Sequence, residues 1–448
     1  MHVNIIGGGL AGSEAAYQLL KRGINVKLYE MRPVKMTDAH QTNNLAELVC
    51  SNSLRSNDIT NAVGLLKHEM QMLDSLIIEA ANHASVPAGG SLAVDRINFS
   101  KYIEDKLNSF SNLEIIREEV KSIKKDEYTI VATGPLTSSN LFEEIKKLVG
   151  NTDLHFFDAI APIIEKDSID MNVCYLKNRY DKGEAAYINC PMSKEQYDLF
   201  YNELVNANVV VPKDFENNVF EGCMPVEVMA KRGFETLTFG PLKPVGLERE
   251  GYDRPYAVVQ LRRDDASDSM YNIVGFQTSL TWGEQKRIIG LIPGLEKANI
   301  LRYGVIHRNT YIESPNVLNI GYQTISQPKT FFAGQISGVE GYVESASSGL
   351  YVALQVYSII NKDKLSPLDN ETIIGSLANY ISTKNKSFVP MNANFGLVKE
   401  LDFKHKKKER KELYVKRSIE MIEKFKADNY ELFWNFWKLL EKWKKLFR

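Results

Sequence analysis

Short apolar runs and amphipathic stretches alternate at the start of the chain. Residues 2–6 form an apolar run typical of a buried strand, residues 13–21 carry helical spacing that stops at Gly23, and residues 25–29 form a second strand-like run. Glycines dominate residues 7–12 and predict a turn. A strand, a helix and a strand in this order predict a βαβ unit, and therefore a parallel sheet with helices on its faces.

The pattern becomes irregular in the middle of the chain. Between residues 154 and 304 Pro and Gly are frequent, and β-like runs are short, as at 257–261 and 272–278. Strand-like runs return at 311–338, and helical spacing follows at 342–360. We therefore predict an α/β fold in which a Rossmann-like dinucleotide-binding domain is interrupted by an inserted mixed or antiparallel α+β domain. The predicted parts are 1–153 (first part of the dinucleotide domain), 154–304 (insert), 305–400 (completing part) and 401–448 (C-terminal helical segment).

The C-terminal segment 401–448 is basic and aromatic. It holds 15 Lys and Arg against 8 Asp and Glu, a balance of +7 in a chain whose net charge is −1. Residues 417–447 carry helical spacing and include three of the four tryptophans. The helical spacing favours a helix docked on the body, and the alternative is a basic aromatic surface for RNA, a membrane or a partner subunit.

Composition narrows the class of protein. With 448 residues, 44% hydrophobic and 25% charged, the chain is typical of a globular protein of two or three domains. It has no apolar run near the roughly 20 residues of a membrane span, and its first strand starts at residue 2, so we expect no signal or transit peptide. Four cysteines without a C-x-x-C pair argue against a zinc site or redox dithiol and favour a reducing, cytoplasmic location.

The first turn carries a dinucleotide-binding fingerprint. G-x-G-x-x-G is matched by Gly7-Gly8-Gly9-Leu10-Ala11-Gly12. The motif follows a strand, opens a helix and precedes an acidic residue, Glu30, at the end of the second strand. Its glycines permit a tight turn, close approach of a pyrophosphate and close helix–strand packing, while Glu30 accepts hydrogen bonds from a ribose 2′-hydroxyl. FAD or NAD fits this site, whereas the 2′-phosphate of NADPH would meet like charge.

Two later segments favour FAD. Residues 130–134 form a strand-like run ending in Ala-Thr-Gly at Gly134, a turn that passes near the dinucleotide in many flavoproteins. Residues 330–341 read as a strand, a glycine turn and a helix start. Where related flavoproteins place Gly-Asp to hold the ribityl chain, this sequence has Gly334-Gln335, whose amide can also bond ribityl hydroxyls.

Nine longer segments together match the motifs of one family. They are GGGLAGSEAA (7–16), AELVCSNSLRS (46–56), VPAGGSLAVDR (86–96), VATGPLTS (131–138), FEGCMPVEVMAKRG (220–233), FGPLKPVGL (239–247), YGVIHRNTYIESP (303–315), GQISGVEGYVESASSGL (334–350) and MNANFGL (391–397). With these segments the sequence resembles the folate- and FAD-dependent RNA uracil-C5 methyltransferases. The resemblance implies bound FAD, a methylene group from 5,10-methylenetetrahydrofolate and electrons from NADPH or NADH. It implies 5-methyluridine at the T-loop of tRNA as product. Alternatives are the same chemistry on 23S rRNA, or a non-catalytic RNA-binding flavoprotein.

Two cysteines lie in these segments and carry the predicted chemistry. A lone cysteine is more often an inert buried residue, but the match to the family assigns Cys223 as the thiolate that adds to C6 of uracil. The resemblance places Cys50 near the flavin as a second thiol, and its position predicts that it opens a helix. Cys174 and Cys190 match no motif and are interpreted as structural.

Basic residues in the matching segments are candidate contacts for folate or RNA phosphates. They are Lys231, Arg232, Lys243, His307 and Arg308. Arg254, Arg262, Arg263 and Arg287 are further basic residues of the predicted insert that could neutralise RNA phosphates. Taken singly, each basic residue is by default a solvated surface charge, and a lone histidine is usually a structural residue with its hydrogen bonds satisfied.

Overall fold

The fold comes from a computed structural model that describes residues 1–37, 39–150, 154–181, 185–210, 224–363, 365–385, 388–430 and 432–433. In this part of the chain the strands are β1 (His2–Ile6), β2 (Asn25–Tyr29), β3 (Ser53–Ser56), β4 (Ser85–Val86), β5 (Ser91–Val94), β6 (Leu113–Ile116), β7 (Thr129–Val131), β8 (Leu154–Ala159), β9 (Ile163–Glu165), β10 (Tyr175–Leu176), β11 (Tyr187–Met192), β12 (Ala257–Arg263), β13 (Met270–Ile273), β14 (Ile300–Arg302), β15 (Ile306–Tyr311) and β16 (Thr330–Phe332). The helices are α1 (Leu10–Leu20), α2 (Ala62–Met72), α3 (Leu76–His83), α4 (Arg96–Asn108), α5 (Ser139–Val149), α6 (Lys194–Val205), α7 (Val226–Lys231), α8 (Thr236–Phe239), α9 (Trp282–Ile289), α10 (Ser314–Val317), α11 (Tyr342–Asn361), α12 (Ile373–Ser382) and α13 (Arg410–Asp428).

Five parallel strands form the sheet that carries the glycine turn, in the order β16-β7-β1-β2-β6. β1 and β2 have the predicted bounds. Helix α1 begins three residues before the predicted start, because the N–H of Ser13 already donates to the carbonyl of Gly9 at 2.9 Å. Strand β16 comes from the far side of a long intervening segment. The predicted fold class, an interrupted α/β domain, is therefore confirmed, while the domain boundaries stay predictions.

Helix α11 lies directly against α1, behind the glycine turn. The contact is close because Gly349 has no side chain: a Cβ atom there would meet backbone atoms of Ala11, including its Cα atom at 2.9 Å. The predicted helix at 342–360 is confirmed with one further residue. This packing fixes the start of α1 to a helix more than 300 residues away in sequence.

A second sheet of six antiparallel strands forms the inserted part, in the order β10-β11-β12-β13-β9-β14. Its apolar side chains form a core of their own. The predicted strand at 257–261 lies within β12, but the one predicted at 272–278 is wrong beyond Ile273. The chain turns there because Gly275 adopts a left-handed φ of +67°, which glycine tolerates.

The C-terminal helix α13 packs on the body. It begins at Arg410, before the predicted start, and buries Tyr414, Ser418, Ile422 and Phe425 along one face. This spacing of three and four residues is that of a docked amphipathic helix. Residues 431 and 434–448, which include most of the predicted aromatic surface, lie outside the described residues.

A buried carboxylate ties three helices together. Glu69 of α2 accepts the N–H groups of Ile373 and Ile374 at 2.7 and 2.9 Å, at the start of α12. It also accepts the hydroxyl of Ser418 from α13 at 2.5 Å. Burial raises the pKa of Glu69 to about 7, although these three hydrogen bonds favour the ionised form. Glu69 therefore links α12 and α13 to α2. Keeping its carboxylate ionised while buried costs stability, and this cost depends on pH.

We expect Glu69→Gln to change the pH dependence of stability. Because the folded-state pKa lies above the ordinary value, the folded chain binds this proton more tightly, and stability is lost as pH rises from about 4.5 to about 7. The free energy of unfolding of the variant should rise relative to the parent by about 3 kcal/mol across that interval. Urea unfolding at pH 5 and pH 8 measures this. Glu412→Gln, at an exposed position of α13, is the control, and parallel pH profiles for parent and Glu69→Gln would contradict the assignment.

Candidate cofactor cleft and active site

A cleft with about 1000 Å³ of unfilled space opens at the carboxyl ends of β1, β2, β7 and β16. β2 and β7 lie on opposite sides of β1, so the chain connections diverge at this point. Dinucleotides bind at such a crevice in open α/β sheets. The residues of the predicted cofactor site that line it are Gly7, Gly9, Leu10, Ala11, Glu30, Gly134, Gly334 and Gln335.

The glycine turn presents backbone to the cleft. Gly7 adopts a φ of +105°, and a Cβ atom built on Gly9 would meet no other atom within 4 Å, so this residue faces open space. Gly12 and Gly8 lie behind the cleft wall: Gly12 packs on the carbonyl of Gly7, and Gly8 packs on Leu45 and Glu30. The first N–H groups of α1 therefore point towards the cleft with the positive end of the helix dipole.

Glu30 and Arg32 form an ion pair at the end of β2. Oε1 of Glu30 accepts the backbone N–H and the Nε–H of Arg32 at 3.0 and 2.9 Å, and Oε2 accepts the N–H of Gly8 at 3.1 Å. Burial opposes ionisation of Glu30, but these hydrogen bonds and the charge of Arg32 outweigh it and hold its pKa below the ordinary value. Arg32 also bonds Glu47 at 2.9 Å. The carboxylate is thus charged and fixed, with lone pairs left for ribose hydroxyls.

Gly334 and Gln335 form the opposite wall, after β16. Gly334 has a φ of +80°, and its N–H donates to the hydroxyl of Ser348 at 2.7 Å. The amide of Gln335 donates to the carboxyl of Glu340. Burial, together with nearby Asp158 and other acidic groups, raises the pKa of Glu340 well above its ordinary range. Glu340 thus anchors Gln335, the residue that replaces the ribityl-binding aspartate.

Cys50 follows Val49, which lines the cleft, and precedes β3. The predicted helix start at Cys50 is wrong, because the chain runs on into a strand. The N–H groups of Cys50 and Ser51 donate to the hydroxyl of Tyr342, another cleft residue, at 2.7 and 3.1 Å. The Cys50 sulfur lies 3.8 Å from the carbonyl oxygen of Ala159. Cys50 is therefore held at the end of the cleft, beside the inserted part.

Two arginines of the inserted sheet grip the segment around Cys50. Arg262 of β12 donates to the side chains of Asn52 and Ser51 at 3.0 and 2.9 Å. Arg302 of β14 donates to the carbonyl of Val49 at 3.0 Å. The predicted role of Arg262 as a phosphate contact is wrong, since it is 8% exposed and its guanidinium serves these contacts. Two further arginines of the predicted phosphate contacts form ion pairs. Arg263 pairs with Asp268, and Arg287 pairs with Glu203 and Glu284.

Cys223 lies outside the described residues, as does the whole of 211–223. Helix α7 begins three residues after Cys223, at Val226, and the buried carboxylate of Glu227 anchors it. This carboxylate accepts the hydroxyl of Thr278 at 2.9 Å and the N–H of Ser279 at 2.7 Å. The start of α7 thus has a fixed place on the inserted core.

The predicted substrate residues are spread over the inserted part and its exit. Lys231 and Arg232 are exposed together at the end of α7, and Lys243 is half-buried in the loop after α8. His307 and Arg308 belong to β15, which pairs antiparallel with β8, and their side chains lie outside the described part. The structure therefore places Lys231 and Arg232 next to each other on the surface at the end of α7, and Lys243 in the following loop.

Sequence reasoning missed several residues of the cleft wall. Thr37 and His40 line the cleft, with 2.6 Å between the Thr37 hydroxyl and Nδ1 of His40. Burial, and then the charge of Arg32, lower the pKa of His40 to about 4, so this ring is neutral at physiological pH. In the sequence, Thr37 and His40 belong to a polar stretch after β2 that has no helical or strand periodicity. Such a stretch gives no indication of which residues contact a ligand.

Among the described residues, no three His, Cys, Asp or Glu side chains group in a way that could hold a metal ion. The same part of the chain contains no helix with the length and apolar character needed to cross a membrane. Cys174 and Cys190 are buried free thiols with sulfurs 3.3 Å apart, inside the core of the inserted sheet.

Comparison with known proteins identifies the family to which the sequence is similar. The family model described as glucose inhibited division protein A matches residues 2–364. Methylenetetrahydrofolate--tRNA-(uracil-5-)-methyltransferase TrmFO of Acholeplasma laidlawii is 59% identical over 423 residues, which cover 94% of this chain and 99% of that protein. The protein of the same name from Bacillus subtilis is 59% identical over 425 residues, covering 94% and 98%.

A solved structure supports the architecture. GidA of Aquifex aeolicus in crystal form I is similar with a TM-score of 0.69 and 16% identity, and the match covers 99% of this chain and 80% of that one. At this identity the likeness concerns the fold alone. The family match and the high identity of the relatives together show that the chain belongs to the glucose-inhibited division protein A family and, within it, to the methylenetetrahydrofolate-dependent tRNA (uracil-5-) methyltransferases.

Proposed function

We propose that this chain is a flavoprotein enzyme that forms 5-methyluridine in tRNA, with the methylene group supplied by 5,10-methylenetetrahydrofolate. The relatives at about 60% identity are named tRNA (uracil-5-) methyltransferases, and this chain matches nearly their whole length. The observation that carries the proposal is the cleft itself. Its dinucleotide wall reaches Tyr342, whose hydroxyl holds the backbone of Cys50.

The residues of the cleft fit FAD. The open backbone at Gly9 and the start of α1 suit a pyrophosphate, Glu30 suits a ribose, and Gly134, Gly334 and Gln335 suit the remainder. Bound flavin supplies one-carbon transfer and reducing power, which no side chain offers. NADPH or NADH is the proposed electron donor, as the family resemblance implies. The fixed charge of Glu30 keeps the 2′-phosphate of NADPH out of this particular cleft.

The proposed role of Cys223 is to activate the pyrimidine. Its thiolate adds to C6 of a flipped-out uridine, which makes C5 enolate-like and able to attack an electrophilic methylene carbon. C5 then loses its proton as the bond between the methylene carbon and its carrier breaks. A hydride, which bound reduced flavin would supply, converts the methylene to a methyl group, and the C6–sulfur bond breaks to release the thiolate. Cys50, at the end of the cleft, is the proposed second thiol of the site. Lys231, Arg232, Lys243, His307 and Arg308 are proposed contacts for folate carboxylates or RNA phosphates.

Two other functions were open from the sequence. Methylation of 23S rRNA by the same chemistry is not favoured, because the similar proteins bear the tRNA name. A non-catalytic RNA-binding flavoprotein would need neither a folate nor Cys223. Acting on tRNA, the enzyme is proposed to be cytoplasmic.

The test compares RNA substrates directly. Purified protein is incubated with 5,10-methylenetetrahydrofolate labelled in the methylene group, NADPH or NADH, and either unmodified tRNA or 23S rRNA. We expect label in 5-methyluridine from tRNA only. Label in rRNA alone would favour the paralogous reaction, and absence of label in both, with flavin bound, would contradict the proposed activity.

A further inference from the structure

An exposed aromatic face on the inserted sheet is not used by the cleft. It consists of Tyr180, Arg249 and Tyr252. The two tyrosines are 57% and 63% exposed, and the guanidinium of Arg249 lies 3.9 Å from the ring centre of Tyr252. Large aromatic rings are usually mostly buried, so a group of them open to solvent beside a stacked arginine indicates a binding surface.

The two loops that carry this face, around Tyr180 and around Arg249, are tied together by hydrogen bonds. Tyr175 donates its hydroxyl to the carbonyl of Leu247 at 2.5 Å, and Lys177 donates to the carbonyl of Glu248 at 2.9 Å. Arg179 donates to the carbonyl of Lys243 at 2.9 Å, and it also bonds the side chain of Gln260 at 3.1 Å. A surface fixed before binding loses little conformational freedom when a ligand arrives.

The orientation of Tyr180 is enforced by unusual backbone. Tyr180 and Asp181 adopt left-handed φ angles of +59° and +51°, which are unfavourable for residues other than glycine. The Tyr180 ring lies on Gly246, where a Cβ atom would come within 2.7 Å of two ring atoms. The strained backbone thus places the Tyr180 ring in contact with a glycine, while more than half of the residue stays exposed.

The sheet edge next to the exposed aromatic face is two strands away from the residue that holds the segment around Cys50. The N–H of Lys177 donates to the carbonyl of Tyr187 at 2.9 Å, and Tyr187 pairs with Arg262 in the next strand. Arg262 in turn holds Ser51, the neighbour of Cys50. Two strand spacings, about 10 Å, therefore separate this edge of the sheet from Arg262.

We propose that the exposed aromatic face stacks unpaired bases of the RNA substrate close to the target uridine. This inference rests on the proposed function, because it takes tRNA as the substrate. Charges around the face are balanced: Lys177 pairs with Asp181 at 3.2 Å and Arg254 with Glu248 at 3.7 Å. Apart from Arg249, which lies over the Tyr252 ring, the described residues of the face show no excess of positive charge. Aromatic rings and a stacked arginine recognise bases, whereas phosphate binding needs excess positive charge.

The test measures binding of two RNA probes to the holoenzyme. One probe is an RNA hairpin with the stem and loop of a tRNA T-arm, and the other is a blunt duplex of equal length. For the double variant Tyr180→Ala/Tyr252→Ala we expect affinity for the hairpin to fall at least about tenfold, because stacked bases are lost. Affinity for the duplex and the salt dependence of binding should stay unchanged, since no phosphate contact is removed.

Matched variants separate stacking from other effects. Tyr180→Phe/Tyr252→Phe keeps both rings and should bind like the parent. Leu199→Ala removes an equally exposed apolar side chain (54%) from α6 of the same part and should also bind like the parent. Bound flavin in each variant reports folding. Hairpin affinity of the double alanine variant within twofold of the parent, or an equal loss with the duplex, would overturn the inference.

Failure of the inference is distinguishable from failure of the proposed function. A parent enzyme that methylates tRNA, together with an alanine variant that binds the hairpin normally, removes the stacking role and leaves the function standing. A parent enzyme that methylates no RNA but binds the hairpin through these rings removes the function and leaves the face as an RNA-binding surface.

Discussion

Replacing Cys223 with serine should lower folate-dependent formation of 5-methyluridine in tRNA by at least about 1000-fold, while the protein keeps its flavin. A serine hydroxyl is almost entirely protonated at neutral pH, so it cannot add to C6 of uracil without a strong base. Loss of a catalytic nucleophile typically reduces turnover by this factor or more. The measurement is transfer of label from the methylene group of the folate into 5-methyluridine, at saturating tRNA.

A second measurement identifies which cysteine forms the bond to RNA. In RNA that carries 5-fluorouridine, fluorine replaces the C5 proton that must leave before the thiolate is expelled. The C6–sulfur bond should therefore persist and give a complex that survives denaturation. We expect this complex with the parent and not with Cys223→Ser. If Cys50→Ser loses the complex and Cys223→Ser keeps it, the two cysteines have the opposite roles.

Cys174 offers a matched control for that experiment. It is a free thiol in the inserted part, but it is 2% exposed and in contact with Cys190. Cys174→Ala should retain full methylation, with at most a modest loss of stability. Full activity of Cys223→Ser beside an inactive Cys174→Ala would remove Cys223 from the mechanism.

The dinucleotide half of the site could be predicted from sequence because its determinants are local. Strand β1, the glycine turn, helix α1 and strand β2 follow one another within 28 residues, and Glu30 ends that unit. Periodicity, the glycine positions and the acidic residue each report on neighbours along the chain. The structure places this segment as expected and shifts only the start of α1.

The surroundings of Cys50 could not be predicted, because its partners are distant in sequence. Tyr342 is 292 residues away, and Arg262 contacts Asn52 across 210 residues. Arg262 resembled a surface charge, but β12 is buried along nearly its whole length. The expected helix at Cys50 does not form, since the chain passes into strand β3 at Ser53 and Arg55 adopts a left-handed φ of +61°.

The exposed aromatic face could not be predicted from the sequence for a related reason. Its rings come from two separate loops, and their exposure depends on the way Tyr180 is packed on Gly246. A tyrosine in a sequence carries no mark of whether it is exposed or buried. Tertiary packing decides it, and a single sequence gives no direct information about that packing.

The Glu30→Gln variant should bind FAD about 30-fold more weakly than the parent. The amide keeps the size of the side chain but removes the charge, and a hydrogen bond to a charged acceptor contributes about 2 kcal/mol. Burial would otherwise disfavour the charge, and Arg32 with the N–H of Gly8 holds the pKa of Glu30 low enough to keep it ionised. Titration of apoprotein with FAD, followed by quenching of flavin fluorescence, gives the affinity.

Stability must be separated from ligand binding in that experiment, because Glu30 also pairs with Arg32 inside the protein. Arg32 is 1% exposed and retains Glu47 as a second carboxylate at 2.9 Å, so the variant is expected to fold with reduced stability. Glu14→Gln is the matched control, since Glu14 is a buried carboxylate of α1 that bonds Ser75 and Ile77 and does not line the cleft. It should change stability without changing FAD affinity. Equal FAD affinity in the parent and Glu30→Gln would show that the ribose binds elsewhere, and an equal weakening in both variants would show that the effect is one of folding.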